Sequence, residues 1–293
     1  AGFFYNLLNI TFDWFQRRTE DMFGPAEALP AALGTSPSVR NNAALETRGF
    51  DLSVSWKNEI TSDLNYNVKF TLSDQKSTVT EYNNPNNYLG TWYEGQKVGE
   101  IWGYETEGYF KEGENINEHA DQTKIHENWQ AGDIKYKDLN KDEEIYRGDY
   151  TLKDPGDLKV IGNSRPRYNF GLLTNINYKD FDFKIFFQGV GKRDLYFPNV
   201  WSGTFFGQVG NNSHNTTWKE HLDYWSPEGA DHGGGPDAYF PRPYADSEHR
   251  KNTRTQTKYL QDASYIRLKN IQLGYTIPQK LTQVINIKRA RIF

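Results

Sequence analysis

Leu64-Asn-Tyr-Asn-Val-Lys-Phe-Thr-Leu-Ser73 alternates an apolar or aromatic residue with a polar one over its whole length. Such a period of two turns every second side chain to the same face of a β-strand. The pattern recurs at Leu8, Ile10, Phe12 and Trp14, at Leu52, Val54 and Trp56, at Phe181, Phe183, Ile185 and Phe187, and at Ile271, Leu273 and Tyr275. Further strands are expected around Tyr168–Asn177 and from Arg289 to Phe293. Runs of about 9–11 residues match a tilted strand crossing a bilayer. An antiparallel sheet with one face on a soluble core needs the same alternation, so the pattern alone leaves both readings open.

Connection lengths favour the membrane reading. Lys57–Asp63 and Tyr178–Asp180 are short links, whereas the stretches at about 74–165 and 190–263 are very long. Loops of that length are rare in compact soluble domains, and alternation of short turns with long loops is how outer-membrane barrels are built. The long loops carry turn formers such as Asn83-Asn-Pro-Asn-Asn87 and Gly233-Gly-Gly-Pro236. Helical signal is weak, limited to Trp218–Trp225 and Gln279–Val284. The fold class expected is all-β, an antiparallel transmembrane β-barrel with long extracellular loops. About seven strands can be counted, fewer than the ~8 of the smallest barrels, so strands are expected beyond both ends of residues 1–293.

Bulk composition is compatible with this. Thirty-four Lys and Arg against 38 Asp and Glu leave a formal charge of −4, which gives no general drive toward nucleic acid. The absence of cysteine excludes disulfides and thiolate-bound zinc. A mean hydropathy of −0.84 and the lack of any apolar run near 18 residues exclude a membrane-spanning helix but are silent on a barrel. Aromatic residues make up 15% of the chain.

Six phrases, in order, carry a resemblance. They are Glu94-Gly-Gln-Lys-Val-Gly-Glu-Ile-Trp-Gly-Tyr-Glu-Thr-Glu-Gly-Tyr-Phe110, Gly132-Asp-Ile-Lys-Tyr-Lys-Asp-Leu-Asn-Lys-Asp142, Ile161-Gly-Asn-Ser-Arg-Pro-Arg-Tyr-Asn-Phe-Gly171, Phe181-Asp-Phe-Lys-Ile-Phe-Phe-Gln-Gly-Val-Gly191, Tyr224-Trp-Ser-Pro227 and Tyr265-Ile-Arg-Leu-Lys-Asn-Ile-Gln-Leu-Gly-Tyr-Thr-Ile-Pro278. Together they resemble the C-terminal barrel portion of the SusC/RagA-type TonB-dependent transporters, with Lys97 standing where that family more often has proline. The resemblance covers the whole chain. It implies part of a barrel of about 22 strands in the outer membrane of a Gram-negative bacterium, lacking here its plug domain. It also implies energy from the TonB complex, a SusD-type surface lipoprotein as partner, and import of oligosaccharides or, second, of peptides. It implies no enzymatic activity and no required cofactor.

Site chemistry is sparse. Asp138, Asn140, Asp142 and Glu144, with Asp149 in the twelfth position, have the oxygen spacing of a calcium loop, but Glu143 replaces the turn glycine. A solvated acidic turn and a calcium-stabilised loop both remain open. None of the six histidines forms a paired zinc motif, and no nucleophile elbow or P-loop is present. Loop aromatics are the candidate substrate-binding residues: Trp92, Tyr93, Trp102 and Tyr104 in the first long loop, and Trp201, Trp218 and Trp225 in the second. Their rings suit the C–H faces of sugars. Packing among the loops or against a lid, and an aromatic girdle, are the competing readings, the girdle being stronger for Trp14 and Trp56. The rival from another class is a soluble β-rich carbohydrate-binding protein, and a third is a glycoside hydrolase.

Overall fold

A computed structural model describes residues 2–24, 34, 41–197, 218–244 and 247–293. In chain order its strands are β1 (Gly2–Phe3), β2 (Leu8–Phe23), β3 (Asn41–Thr61), β4 (Leu64–Tyr82), β5 (Glu100–Tyr104), β6 (Thr106–Tyr109), β7 (Ile134–Tyr136), β8 (Leu158–Asn163), β9 (Arg167–Tyr178), β10 (Phe181–Lys192), β11 (Asp194–Leu195), β12 (Gln261–Asp262), β13 (Tyr265–Ile277) and β14 (Ala290–Ile292). Eight of them form one antiparallel sheet in the order β1-β2-β3-β4-β9-β10-β13-β14. Neighbours in this sheet are neighbours in sequence once the loop strands are set aside. Three two-stranded pairs, β5–β8, β6–β7 and β11–β12, lie within the long connections.

Register explains why the alternation matters. Leu8 pairs with Trp56, Trp56 with Val68 and Val68 with Thr174, and Thr174 then meets Ile185, which meets Ile271. Rows above and below follow the same parity, so most apolar residues of six strands fall on one face, with Phe15, Leu173 and Phe186 among the exceptions. Ser53, Ser55, Asn67, Thr71, Asn175, Asn177, Lys184 and Gln272 fall on the other. A slip of one residue in any pair would mix the two sets.

The apolar face is uncovered. Phe12 and Trp14 are each 61% exposed, Ile271 61% and Leu273 63%. A soluble sheet would bury these side chains; a continuous exposed apolar face marks a lipid or protein interaction surface. Its height agrees with a bilayer. From Leu64 to the Asp74 row, where Phe50 and Trp14 also sit, β4 rises about 34 Å at ~3.4 Å per residue. At a strand tilt near 40° this is a band of ~26 Å, close to the ~25 Å of outer-membrane barrels. Aromatic rings mark both limits. Tyr66, Tyr178, Phe181 and Tyr275 lie at one, with the Phe181 and Tyr275 centroids 4.8 Å apart, and Trp14 and Phe50 lie at the other. Trp56 lies just inside the first limit, its Nε1 donating to the Tyr66 hydroxyl at 3.0 Å.

The connections sort by length between the two ends of the sheet. Residues 4–7, 62–63, 179–180 and 278–289 turn at one end, and adjacent turns are tied together: Lys57 N donates to Leu7 O at 2.9 Å and Lys179 N to Asp63 O at 2.8 Å. The connections 24–40, 83–166 and 193–264 all emerge at the opposite end.

Strand lengths differ from the sequence reading. The main sheet has eight strands, and β2, β3 and β4 run on to Phe23, back to Asn41 and on to Tyr82. The first long loop therefore begins after Tyr82 rather than near 74. Beyond the Trp14–Phe50 row the outer face turns polar, with Gln16, Arg48 and Lys76 in the next row, so no regular alternation announces a strand. The ladder is held there by its own hydrogen bonds and by a small core of Ala43, Val79 and Tyr82, against which Met22, Leu45, Trp92 and Val98 pack. Of the two expected helical stretches, Trp218–Trp225 shrinks to a 3-10 turn at Lys219–Leu222, whereas Gln279–Val284 is helical throughout, an α turn at Gln279–Thr282 running into a 3-10 turn at Gln283–Ile285.

Candidate functional site

The principal hydrophobic core lies in the long connections, not under the sheet. Tyr104, Tyr109, Ile134, Tyr136, Ile145 and Leu158 come from the first, and Trp225, Ala238, Phe240 and Tyr259 from the second. A buried loop must satisfy its backbone groups from elsewhere, and here side chains do so across a large sequence separation. Asn252 accepts from Ile134 N at 2.9 Å, and the Tyr136 hydroxyl donates to Lys251 O at 2.6 Å. Gln256 accepts from Thr106 Oγ1 at 2.9 Å and donates to Asn252 O at 2.7 Å. The Tyr109 hydroxyl donates to Tyr239 O at 2.8 Å.

At the centre of this body is a fully buried ion pair. Lys251 Nζ meets Asp133 Oδ2 at 2.8 Å, with both side chains at 0% exposure. Every remaining lone pair and proton has a partner of the right kind. Asp133 Oδ1 accepts from the Tyr244 hydroxyl and from Asn252 Nδ2, both at 2.8 Å, and Oδ2 also accepts from Gln130 N at 2.9 Å. Lys251 also donates to Asn128 O at 2.8 Å and to Glu248 at 3.2 Å, and lies 4.4 Å from the Tyr244 ring centroid. The pair thus clamps residues 128–133 of the first long connection to 244–252 of the second.

Glycine is required beside it. Gly132 has φ +89°, and a Cβ there would lie 2.3 Å from the Trp225 ring. On the flank, Glu105 joins Lys137 at 3.1 Å and also pairs with Lys159, and these hydrogen bonds hold its carboxyl below the usual glutamate range. Burial pushes the Tyr104 phenol up to about 12. Lys258 sits 4.6 Å over the Tyr109 ring, and burial lowers its ammonium below the ordinary lysine value.

The nominated aromatics divide between this core and its surface. Tyr104 and Trp225 are 7 and 4% exposed, so their rings belong to the core and offer solvent no face for a sugar. Tyr93 is also buried; its hydroxyl donates to Glu100 at 2.6 Å and accepts from Trp102 Nε1 at 3.3 Å. Trp92 and Trp102 are half-buried. Trp218 is 57% exposed and stacks on His221 with centroids 5.5 Å apart. Trp201 lies outside the described residues. A cleft of 700 Å³ opens where β4 and β9 part beyond the Ser73–Asn169 pair, lined by Gln75, Asn163, Asn169, Arg165, Lys192 and Asp194 among others.

The acidic segment does not gather a cation site. Asp138 accepts from Lys141 N at 2.6 Å and Glu143 N at 2.9 Å, and Asp142 accepts from Glu144 N at 3.0 Å and Asn140 Nδ2 at 2.8 Å. Glu144 pairs with Lys124, and Asp149 contributes its N–H to Asp154 at 3.0 Å. Side-chain oxygens of Asp138, Asn140 and Asp142, which the spacing assigns to calcium, therefore cap the loop's own backbone. Among the described residues no cluster of three or more His, Cys, Asp or Glu side chains is arranged to hold a metal. Lys141 and Glu143 take left-handed φ of 64° and 66°, making the sharp turn without glycine. Asp157, absent from the sequence reading, organises this turn from beneath: it is fully buried and accepts from Leu139 N at 2.8 Å and Tyr146 N at 2.9 Å, with burial raising its carboxyl above the usual aspartate value.

No family model matches the chain. TonB-dependent receptor P3 of Formosa agariphila is 26% identical over 307 residues, spanning all of this chain and 28% of the relative. TonB-dependent receptor P26 of the same bacterium is 25% identical over 304 residues with the same coverage. The structure of the RagAB peptide transporter superposes with a TM-score of 0.69 at 18% identity, over 99% of this chain and 29% of that one. The chain is therefore similar over its whole length to TonB-dependent receptors, and it shares its fold with the corresponding part of RagAB. It spans less than a third of the length of the relatives it matches. In outer-membrane barrels generally, short turns face the periplasm and long loops the exterior, with the apolar strand face toward lipid and the polar face toward the lumen.

Proposed function

We propose that the chain supplies wall strands and the extracellular mouth of a nutrient importer in the outer membrane of a Gram-negative bacterium, driven by the TonB complex. A SusD-type lipoprotein would lie over the loop body as a lid, and the cargo would be an oligosaccharide. The observation that carries the importer reading is the register-aligned sheet, bare and apolar on one face and polar on the other, with its core displaced into the loops. Oligosaccharide cargo draws support from the lumen face, where Asn67, Asn175, Asn177, Gln272, Ser53 and Thr71 offer amides and hydroxyls suited to sugar hydroxyls, and from the solvent-facing ring of Trp218. Peptide cargo is the second reading, favoured by the likeness in fold to RagAB, a peptide transporter. Neither reading requires a cofactor.

The test is calorimetric titration of the detergent-purified full transporter, with its co-purifying lipoprotein, against neutral oligosaccharides and against peptides. Saturable oligosaccharide binding, weakened several-fold by Trp218→Ala, is expected. Binding of peptides alone would replace the cargo assignment. Extraction of the full protein without detergent would overturn the importer itself and favour a soluble carbohydrate-binding protein.

A further inference from the structure

The outer, apolar face of the sheet does not end at its aromatic rim. One row above Trp14 and Phe50, toward the long loops, Arg48 of β3 stands directly opposite Lys76 of β4. Like charges directly opposed across a ladder repel, and this pair lies on the face that looks outward. A groove of 410 Å³ runs across the boundary, lined below by Trp14 and Phe50 and above by Arg48, Lys76, Lys97 and Arg167. Its carboxylates are already engaged. Glu46 accepts from Arg48 Nε at 2.8 Å and from Gln16 Nε2 at 2.6 Å, and Asp74 is gripped by both Arg167 Nε and NH2. Lys97 Nζ donates to Thr78 Oγ1 at 2.8 Å, a neutral partner, and Lys76 forms no ion pair with any described residue. Four cations against two carboxylates leave the groove positive.

Resting on the barrel reading above, we infer that this groove holds a phosphorylated lipid of the outer leaflet. The phosphate would bridge Arg48 and Lys76, and its acyl chains would lie on Trp14 and Phe50. The position selects the occupant. Arg48 and Lys76 lie one register row, about 7 Å along the strand, beyond the last apolar row, where headgroups meet the hydrocarbon. A soluble cargo crossing the lumen would meet the opposite face of these strands. Phosphate supplies the counter-charge that Lys76 lacks, beside an Arg48 whose Nε alone is taken by Glu46, and an apolar tail matches the lower half of the groove.

The experiment places the full transporter in neutral phosphatidylcholine nanodiscs doped with diphosphorylated lipid A or with its dephosphorylated form, and measures lipid retained per transporter by native mass spectrometry. Wild type should retain the phosphorylated form preferentially. Arg48→Gln with Lys76→Gln should lower that retention about tenfold or more, the loss of two charge-assisted contacts, while leaving the dephosphorylated form unchanged. Lys184→Gln, on the lumen face, should change neither. Equal retention of the two lipids by wild type, or undiminished retention by the double variant, would overturn the inference and leave the barrel intact. Failure of the full protein to enter neutral nanodiscs would overturn the barrel reading, and the groove with it.

Discussion

Replacing Lys251 by methionine leaves the Asp133 carboxylate buried without its counter-charge. The hydrogen bonds from Tyr244, Asn252 and Gln130 would remain, but the fully buried ammonium that balances them would be gone. Breaking a buried pair by removing one partner costs about 3–5 kcal/mol. Because the pair joins the two long connections, the cost falls on the loop body and not on the membrane strands. Amide hydrogen exchange at Ile134 and Tyr136 in the detergent-solubilised full transporter reports this local opening. At about 1.4 kcal/mol per decade, protection there should fall by roughly 10²–10⁴, with β3 and β4 unaffected. Adding Asp133→Asn removes the stranded charge and leaves chiefly one mismatched contact, at Gln130 N. The double variant should therefore recover most of the loss, ending about 1–2 kcal/mol below wild type. Unchanged protection in Lys251→Met, or a double variant no better than the single, would refute the assignment of the clamp to this ion pair.

Further outcomes follow from other parts of the molecule. Gly132→Ala should destabilise the loop body by about 2–4 kcal/mol, combining left-handed strain with a collision at Trp225, and should alter that tryptophan's near-ultraviolet circular dichroism. Ile271→Arg, mid-band on the apolar face, should destabilise the barrel by about 2–4 kcal/mol in urea unfolding from vesicles, whereas Asn270→Arg on the lumen face should cost far less; equal effects would contradict the face assignment. The Glu105 carboxyl is held down by Lys159 and Lys137, so its folded value lies below the unfolded one. Its contribution to the loop body is therefore present at and above the ordinary glutamate range and lost as pH falls through the lowered folded value. Exchange at β6–β7 amides should show this acid loosening, and Glu105→Gln should abolish that component.

Much of the wall was legible in the sequence, and the physical reason is that lipid and lumen impose opposite demands on alternate residues. Leu64–Ser73 and Phe181–Gln188 could be assigned both to strands and to faces. The continuation of β3 to Asn41 could not, because Arg48 and Glu46 replace the apolar residues of the outer face and the alternation lapses there. The core of the loops was harder still. Tyr104 and Trp225 read as aromatic residues in polar surroundings, a pattern shared by a sugar platform and a buried core, and their burial depends on contacts over 100 residues apart. The spacing of Asp138–Asp149 suggested cation ligation, yet side chains of the right type can point back at the turn that carries them. Asp133 and Lys251 were invisible as a pair because charge alone does not reveal a partner. A recurring phrase around Gly132-Asp-Ile-Lys-Tyr136 marked the place without explaining it.

The shared core of the two long connections limits how the loop end of this molecule can change. Both contribute side chains to the buried core and each supplies one partner of the Asp133–Lys251 clamp, while the β9–β10 hairpin that lies between them in sequence belongs to the wall. A segment exchanged alone from a relative would meet a foreign counterpart across a fully buried seam. Variation in what the mouth recognises is thereby steered to the rim, at positions such as Trp218, or else must arrive in both connections together. The two excursions are one heritable part written in two places along the chain.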